Sequence, residues 1–442
     1  AMTAGRCAGT RAMSILLIFA SMVAQGSAEE ESGTCHSGED YSGPTNKILF
    51  ENCLKGSPST EWDVNGGGDP SIQGFSTDIS YDIGQEAVFK IKTDSPQYRI
   101  DIYRLGYYQG HGARKVDTIT PIVSLPQSQP ECLFQPDSYL VDCGNWEISA
   151  VWKIPSNTTS GIFFARPVRE DAEPDEYSET GKNWRTDNSQ HRVDKLHARP
   201  GSNPYGHPEP NPPQHAYGAT GHGRLRNPIS EPRASHIWFV IRDDNRRSDL
   251  LFQTSDPTWQ AYNGYGGLTT YGSFKFPFTH GPKVEKMDIE KPMPRSYKAS
   301  YNRPLITRGY RAVNMPLHAE YPAVRFLEAA GYDVTYASGI DTSRAGKMLL
   351  NHKVFLSVGH DEYVSLEQRR NVEKARDAGV SLMFWSANEF YWSIRWENSI
   401  FDNTSYRTMV CYKESQSNVK IDPLPGSWTG TFRDARSINP RG

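Results

Sequence analysis

The chain has 442 residues, which is enough for two ordinary domains with a sizeable core in each. Its formal net charge of -3 gives no reason to expect nucleic acid or an anionic membrane as a partner. With 12% aromatic residues, the composition is that of a globular protein.

The first residues have the pattern of an export signal. Arg6 and Arg11 precede the apolar run SILLIFASMVAQGSA, whose end carries Gly26 and Ala28 before acidic EEES. This pattern predicts a signal peptide over residues 1–28, so that the mature protein is expected to be secreted or periplasmic and to have no membrane anchor. An uncleaved anchor is the alternative, although the apolar run is short for a membrane span.

Five cysteines follow the predicted signal, in keeping with an oxidising compartment. The local pairs Cys35–Cys53 and Cys132–Cys143 are the predicted disulfides. Cys411, in the stretch MVCYKE, is predicted to be free and buried. No CxxC pair occurs, which argues against a zinc ribbon or a thioredoxin-type site.

Residues 45–170 alternate apolar and polar positions in runs such as EAVFKIK, YRIDIYRLGYY and GIFFARPV. Because these runs are short and separated by Gly, Pro, Asp and Ser, they predict an N-terminal antiparallel β-sandwich. Residues 171–233 lose the alternation and are rich in Pro, Gly and His, which predicts a surface insertion or linker. We interpret the histidines of this segment as solvated.

Residues 234–442 alternate strand-like and helical runs, from HIWFVIR and LLFQTS through AEYPAVRFLEAAG to KVFLSV and VSLMFWS. This alternation predicts right-handed βαβ crossovers and a mostly parallel sheet that is covered on both faces. The predicted fold class is therefore α+β with two domains, in which the β-sandwich is followed by an α/β domain.

The segment KVFLSVGHDEYVSLEQRRNVEKARDAG joins a predicted buried strand to a helix. Ser365 is the predicted N-cap of this helix, Gln368 completes a capping box, and Gly379 follows the last turn. His360 and Glu362 lie beyond the carboxyl end of the strand, where open α/β sheets bind ligands. Together they form a usable metal or proton-transfer pair, and the alternative is a capped turn with a hydrogen-bonded histidine.

Two more loops with unusual chemistry are predicted at this edge of the sheet. DPTWQAYNGYGGLTTYG contains Tyr262 and Tyr271, which are either packing residues or, beside a strongly charged cation, phenolate ligands. SANEFYW contains Asn388, which can orient a carbonyl group, and Glu389, which is either a base or a salt-bridge partner. Lys413 in VCYKE is the remaining candidate cation.

These segments resemble the large (beta) subunit of N,N-dimethylformamidase and its wider family. The likeness lies in SVGHDEYVSLEQRRNVEKARDAGVSLMFWSANEFYW, with DPTWQAYNGYGG before it and RTMVCYKE after it. YRLGYYQGHGAR and WKIPSNTTSGIFFARPV are similar to the β-sandwich portion of that family. The resemblance covers roughly residues 45–170 and 234–435. It implies an amidotransferase-like α/β domain that is C-terminally incomplete in this chain.

The resemblance also implies a mononuclear Fe(III) site held by two tyrosinates and one carboxylate, and hydrolysis of a small amide. Glu362 matches the carboxylate ligand, and His360 matches the residue beside the iron. Tyr262 matches one tyrosine ligand. Tyr271 matches the other, with Tyr301 in SYNRP as the alternative.

Asn388 and Lys413 match two further residues of the family's pocket. Phenolate and carboxylate oxygens are hard donors that suit Fe(III), which would polarise an amide carbonyl and lower the pKa of a bound water. His360 would orient that water or move its proton, and Asn388 would hold the carbonyl oxygen.

The leading interpretation is a secreted iron-dependent amidohydrolase that cuts a carbon–nitrogen bond other than a peptide bond in a small amide. A homo-oligomer or a small partner subunit is the expected assembly. The alternative is a non-catalytic protein that binds carbohydrate or another ligand. A metal-free hydrolase using Glu389 and His360 is the third interpretation, and metal content separates these cases.

Overall fold

The structure is a computed structural model, and it describes residues 46–64, 67–171, 233–273, 295–307, 314–318, 320–416 and 420–434. The predicted signal peptide, Cys35 and nearly all of the predicted insertion lie outside these ranges. Within them, no helix combines the length and the apolar character that crossing a membrane requires.

Strands outnumber helices in the described residues. The strands are β1 (Ile72–Ser76), β2 (Ser80–Asp82), β3 (Glu86–Thr93), β4 (Tyr98–Leu105), β5 (Ala113–Ile119), β6 (Leu133–Gln135), β7 (Leu140–Asp142), β8 (Ala150–Lys153), β9 (Gly161–Arg169), β10 (Ile237–Arg242), β11 (Leu250–Gln253), β12 (Leu268–Thr269), β13 (Gly272–Ser273), β14 (Lys298–Ser300), β15 (Val334–Ala337), β16 (Val354–Gly359), β17 (Tyr363–Ser365), β18 (Ser381–Ser386), β19 (Trp392–Glu397) and β20 (Thr408–Val410). The helices are α1 (Lys47–Cys53), α2 (Ser59–Trp62), α3 (Asp256–Tyr262), α4 (Glu320–Ala329), α5 (Gly339–Arg344) and α6 (Leu366–Asp377), with 3-10 turns at Tyr108–Gly110 and Gly346–Asn351.

Two packed sheets form the predicted β-sandwich. β1, β3 and β8 make one antiparallel sheet, and the other has the strand order β2-β10-β9-β4-β5. The second sheet is antiparallel except where β10 runs parallel to β2. Phe89 of the first sheet packs against Phe239 of the second, with ring centroids 5.6 Å apart. The alternation of apolar residues therefore produces a shared core between the sheets.

β10 follows the predicted boundary at residue 234 and pairs with a strand of the sandwich. The prediction assigned HIWFVIR to the α/β domain, whereas β10 pairs with β9 of the sandwich. Its residues alternate between two cores: Phe239 lies in the sandwich core, while Trp238 and Val240 lie in the core beneath the α/β part. Because both faces of β10 are buried, its sequence is a nearly continuous apolar run. Such a run does not show to which sheet the strand belongs.

The second core joins the sandwich to the α/β part. It contains residues from β4, β9 and β10 together with residues from β11, α4 and β16. The described residues belong to one compact unit, Asn46–Gly442. The division into two domains therefore stays a prediction. The five-stranded sheet β2-β10-β9-β4-β5 is covered on both faces, and we call it the middle sheet.

The α/β part contains the predicted parallel sheet. Its strand order is β15-β11-β16-β18, and each neighbouring pair is parallel. A further sheet has the order β14-β20-β19-β17, and its strands interleave along the chain with those of the parallel sheet. Within the described residues β18 is an edge strand, and its Met383, Phe384 and Trp385 side chains are exposed.

Helix α6, which follows β17, begins as predicted and differs from the prediction in one detail. The Ser365 side chain accepts a hydrogen bond from the Gln368 backbone N–H, and Gly379 adopts a φ of 99° after the last turn. The predicted capping box is only half formed, because the Gln368 side chain donates to Gln253 of β11 at 3.0 Å. The Gln368 amide thus ties the helix to the sheet.

The described cysteines agree with the prediction. Cys132 and Cys143 form a disulfide, and Cys411 is free and buried. Cys53 is also disulfide-bonded, and Cys35, its predicted partner, lies outside the described residues.

A buried ion pair connects the middle sheet to α4. The Arg104 guanidinium donates to both carboxylate oxygens of Glu328, at 2.7 and 3.0 Å, and neither side chain is exposed. Asn52 and Tyr336 each donate a further hydrogen bond to Glu328 at 2.8 Å. The bidentate geometry and the additional hydrogen-bond donors offset the free-energy cost of removing the two charges from water.

Removing one partner of this pair is expected to destabilise the fold strongly. Glu328→Leu removes the carboxylate that Arg104 contacts directly and leaves only the electrostatic attraction of Glu51, so the free energy of unfolding is expected to fall by about 3–5 kcal/mol. The double variant Arg104→Met/Glu328→Leu removes both charges and is expected to recover most of this loss. Urea unfolding followed by circular dichroism measures both values, and equal losses in the two variants would contradict the ion-pair explanation.

Candidate functional site

The predicted site lies where the strand order of the parallel sheet reverses. β11 is the first strand of this sheet along the chain, and the chain then adds β15 on one side and β16 on the other. The connections that follow β11 and β16 therefore diverge, which opens a crevice at the carboxyl ends of these strands. Residues 254–256 and 360–362 follow the two strands directly.

Three short elements carry the predicted ligands to this crevice. α3 starts directly after β11, has a proline in its first turn and ends at Tyr262. Tyr271 lies in the tight turn of the β12–β13 hairpin. Glu362 lies in the connection between β16 and β17. The three residues are far apart in sequence, and the sheet brings their elements together.

The oxygen atoms of these residues converge. The Tyr262 hydroxyl donates to Glu362 Oε2 at 2.9 Å, and the Tyr271 hydroxyl donates to Glu362 Oε1 at 2.5 Å. The two tyrosine rings stack with their centroids 4.5 Å apart. Tyr262 is only 6% exposed and Glu362 only 4%. We call Tyr262, Tyr271 and Glu362 the oxygen cluster.

Tyr301, the alternative second tyrosine, is held elsewhere. Its hydroxyl donates to Asp256 Oδ2 at 2.8 Å, and the residue is buried. Burial, followed by the Asp256 carboxylate, raises the pKa of Tyr301 well above its usual value. The geometry therefore favours Tyr271 over Tyr301 as the partner of Tyr262 and Glu362.

Two further residues fix Glu362 in place. The Trp392 indole N–H donates to Glu362 Oε1 at 3.1 Å, and the Glu362 backbone N–H donates to Thr258 Oγ1 at 3.1 Å. The parallel pairing of β17 with β19 starts at Tyr363 and Trp392. The carboxylate is thus oriented by a side chain and by the backbone on which it sits.

His360 lies beside the oxygen cluster and is oriented by two amides. Its Nδ1 is 2.6 Å from Asn314 Oδ1, and its Nε2 is 3.0 Å from Asn388 Nδ2 and 3.5 Å from Glu362 Oε2. An amide oxygen can only accept, so Nδ1 carries the proton, and Nε2 has a lone pair that accepts from Asn388. This tautomer leaves Nε2 as the basic nitrogen on the side of the cluster.

Lys413 lies against the aromatic rings of the site. Its Nζ is 3.2 Å from the centre of the Tyr271 ring, 5.0 Å from that of Trp392 and 5.4 Å from that of Tyr363. The side chain is fully buried. A buried ammonium over these ring faces offsets negative charge on the nearby phenol and carboxylate oxygens.

Three of the eight described residues other than glycine with a positive φ angle lie at or next to the site. Asn388, Phe390 and Lys413 have φ angles of 52°, 49° and 53°, in the left-handed region that residues other than glycine rarely adopt. Such conformations persist where the surrounding structure forces them, and they concentrate at functional sites.

Burial governs the protonation of the oxygen cluster. Burial, and next the Glu362 carboxylate, raise the pKa of Tyr271 far above its usual value. The phenol therefore keeps the proton that it donates to Glu362, unless a strongly charged cation takes the place of that proton.

Glu389 is placed differently from the other predicted catalytic residues. The Ser357 Oγ atom lies 2.8 Å from Asp361 Oδ2 and 3.2 Å from Glu389 Oε1, so its single proton can be donated to one of the two carboxyl groups at a time. Burial raises the pKa of Glu389 to about 7, and burial together with Glu389 raises that of Asp361. Two carboxyl groups with raised pKa values therefore lie on either side of the Ser357 hydroxyl, next to the site.

The sequence analysis missed three residues of this site. Asn314 contacts His360 and Thr258 contacts Glu362 through one hydrogen bond each, and Trp392 contacts Glu362 through its indole and its backbone N–H. Trp392 is the last residue of SANEFYW, a segment that the sequence analysis already placed at the site, so its position in the chain could have indicated it. Asn314 and Thr258 have no local pattern that distinguishes them from ordinary polar residues.

The donor set determines which metal the cluster suits. Within the described ranges, no group of three or more His, Cys, Asp or Glu side chains could hold a metal ion. The oxygen cluster is of another kind, because it has one carboxylate and two phenols. Oxygen donors of this type suit hard cations.

Comparison with known families identifies the family of this chain. The family model described as N,N-dimethylformamidase beta subunit-like, C-terminal, matches residues 99–441. This chain belongs to that family. The match includes β5, β9, β10 and nearly all of β4 as well as the α/β part, so the family region contains the whole oxygen cluster. No curated protein gives a significant match to the chain.

This member of the family has another buried carboxyl group beside the crevice. Glu320, in the first turn of α4, is not exposed. Its Oε1 accepts hydrogen bonds from the Ser255 hydroxyl, the Ser255 backbone N–H and the Trp259 indole N–H. Burial raises the pKa of Glu320 to about 7 despite these donors.

The protonation of Glu320 is expected to make the stability of the protein depend on pH. In the folded protein Glu320 keeps its proton up to about pH 7, whereas the unfolded chain releases it near 4.5. The free energy of unfolding therefore falls as the pH rises through this window. Glu320→Gln cannot ionise, so from pH 5 to pH 8 it is expected to gain up to about 3 kcal/mol relative to the unmodified protein.

Urea unfolding of both proteins at pH 5 and pH 8 measures this effect. Asp256, whose pKa burial raises to about 6, is present in both proteins and cancels in the comparison. The same pH dependence in the two proteins would contradict the assigned protonation of Glu320.

Proposed function

We propose that this chain is an iron-dependent amidohydrolase that cleaves the carbon–nitrogen bond of a small non-peptide amide. The observation that carries the proposal is the convergence of the Tyr262 and Tyr271 hydroxyls on the Glu362 carboxylate. Membership of the N,N-dimethylformamidase beta subunit-like family supports it independently.

The residues of the oxygen cluster fit a ferric ion. Two phenolates and a carboxylate would together supply three negative charges from hard oxygen donors, which matches the charge and the preference of Fe(III). When bound, the ion would polarise the amide carbonyl and lower the pKa of a water molecule. Lys413 over the Tyr271 ring and the Trp392 N–H on Glu362 would hold the donor groups in this arrangement.

His360 is the proposed base. Its Nδ1 proton points to Asn314, so its Nε2 is the nitrogen that can accept a proton from water. Nε2 already receives a hydrogen bond from the Asn388 amide. A substrate carbonyl that takes over this amide N–H would leave the Nε2 lone pair ready for the proton.

Asn388 is the proposed holder of the substrate carbonyl. It is exposed, it lies next to His360, and its amide nitrogen carries two N–H groups. A donor aimed at the carbonyl oxygen stabilises the negative charge that develops there during attack. The left-handed backbone of Asn388 keeps the amide in this position.

The compartment and the assembly belong to the same proposal. The Cys132–Cys143 disulfide supports an oxidising compartment, and secretion or export to a periplasm would supply one. The description of the family as beta subunit-like supports a complex with a further subunit, in which this chain would bring the oxygen cluster.

The second tyrosine ligand is tested by a matched pair of variants. Tyr271→Phe removes a donor of the oxygen cluster, so bound iron and the visible phenolate-to-iron absorption are expected to fall strongly. Tyr301→Phe removes a hydroxyl that contacts Asp256, so about one iron per chain is expected to remain. Elemental analysis and visible spectra measure both effects. A folded, colourless and iron-free unmodified protein would favour the ligand-binding alternative.

The role of Asn388 is tested by its effect on turnover. Asn388→Ala removes the proposed carbonyl donor but no ligand of the oxygen cluster. Its kcat for formamide, acetamide or N,N-dimethylformamide is expected to fall by roughly 10²–10³-fold with unchanged iron content. Steady-state kinetics and elemental analysis on the same preparation measure the two quantities. An unchanged kcat would remove Asn388 from the mechanism.

A further inference from the structure

We infer that Glu320 is a positioning residue that holds the Tyr262-bearing helix and the His360–Glu362 turn in register with each other. This inference rests on the proposed function, because the register matters for a shared metal. Glu320 belongs to neither loop, since it lies in the first turn of α4. Its carboxyl group is buried between the two.

On one side, Glu320 fixes the start of α3. Its Oε1 is 3.1 Å from the Ser255 backbone nitrogen, 2.5 Å from Ser255 Oγ and 2.8 Å from Trp259 Nε1. Ser255 immediately precedes α3, and Trp259 lies one turn before Tyr262 on the same helix. A carboxyl group that holds both residues fixes the tilt of the helix whose last residue is Tyr262.

On the other side, Glu320 acts through Ser255 on the His360 turn. Ser255 Oγ accepts the His360 backbone N–H at 3.3 Å. A serine hydroxyl has one proton, and here it points to Glu320, which turns the oxygen lone pairs towards His360. Without the carboxyl acceptor, the hydroxyl could rotate and lose this contact. Glu320 therefore orients the group that holds the backbone two residues before Glu362.

Gly359 shows how closely the turn approaches Glu320. A Cβ atom at Gly359 would lie 2.8 Å from Glu320 Oε1 and 2.7 Å from Ser255 Oγ. The φ angle of Gly359 is 101°, a conformation that other residues rarely adopt. The absence of a side chain here lets the backbone of the turn pass directly over the Glu320–Ser255 pair.

The two carboxylate oxygens of Glu320 have different roles. Oε1 accepts all three hydrogen bonds, whereas Oε2 is buried and has no hydrogen-bond partner among the described residues. Gln can keep its oxygen at the Oε1 position and place its nitrogen at the position of Oε2. Met has a similar length and no acceptor for the three N–H and O–H groups. Comparing the two substitutions therefore distinguishes the effect of the hydrogen-bond acceptor from the effect of side-chain volume.

The experiment compares Glu320→Gln, Glu320→Met and a control, Ser149→Ala, in the full chain. Ser149 is a buried sandwich residue whose hydroxyl accepts the Ile91 backbone N–H, so its loss weakens the fold away from the site. Iron affinity is measured by competition with a chelator, together with the phenolate-to-iron spectrum. Hydrogen exchange at residues 255–262 and 359–362 is measured in the presence of excess chelator.

Glu320→Met is expected to weaken iron binding by about 10–100-fold, the range found when residues that support metal ligands are removed. Its hydrogen exchange is expected to rise at both segments. Glu320→Gln is expected to stay within about threefold of the unmodified protein in iron affinity, since it keeps the acceptor. Ser149→Ala is expected to keep its iron affinity and to exchange faster in the sandwich only.

The inference is overturned if Glu320→Met binds iron as tightly as Ser149→Ala, or if Glu320→Gln is as defective as Glu320→Met. If Glu320→Met does not fold, Ser255→Ala replaces it, and faster exchange at 359–362 is then expected. An unmodified protein that binds no iron refutes the proposed function instead. In that case exchange at the two segments still decides whether Glu320 ties them together.

Discussion

The structure depends on one electrostatic constraint, which is the meeting of three acidic oxygen groups in a buried place. Tyr262 and Tyr271 both point at Glu362, and water is largely excluded. Three negative charges at this separation cannot coexist in a buried site without compensation. Either protons remain on the phenols, or a highly charged cation replaces them. Lys413 over the Tyr271 ring and the Trp392 indole N–H on Glu362 are placed to favour the anionic forms of these two groups.

The scaffold meets this constraint by making the site rigid from several directions. The parallel sheet supplies the crevice, and the middle sheet supplies a firm base beneath it. The Arg104–Glu328 pair fixes α4 to that base, and Glu320 extends from the first turn of the same helix to Ser255. α4 therefore carries a structural anchor near its end and a contact with the site loops at its start. Support of this kind would hold the oxygens of the cluster in place for the proposed metal.

Local sequence patterns were sufficient for the parts of the fold with a clear period. The alternation in β3 and the cap at Ser365 predicted a sandwich strand and a helix start that the structure contains. The loops after β11 and β16 could be placed at one edge because parallel strands end on the same side. That placement brought the loops together, whereas the pairing of Tyr262 with Glu362 was implied by the family resemblance.

Other features depend on tertiary contacts that leave no trace in a single sequence. Tyr271 and Tyr301 have equally suitable side chains, and only the hairpin turn and the Asp256 hydrogen bond separate them. The sheet to which β10 belongs was ambiguous because both of its faces are apolar. Glu320 resembles an ordinary acidic residue in a first helical turn, and its importance comes from burial, which the sequence does not display.

The double-sided packing of β10 has a consequence for how this chain can change over evolution. Side chains on a strand alternate strictly, so the insertion of one residue would send Trp238 towards the sandwich and Phe239 towards the layer that supports the crevice. Both layers would lose their fit in the same event. Variation along β10 is therefore confined to substitutions that keep the spacing, and this constraint extends to the layer that carries the oxygen cluster.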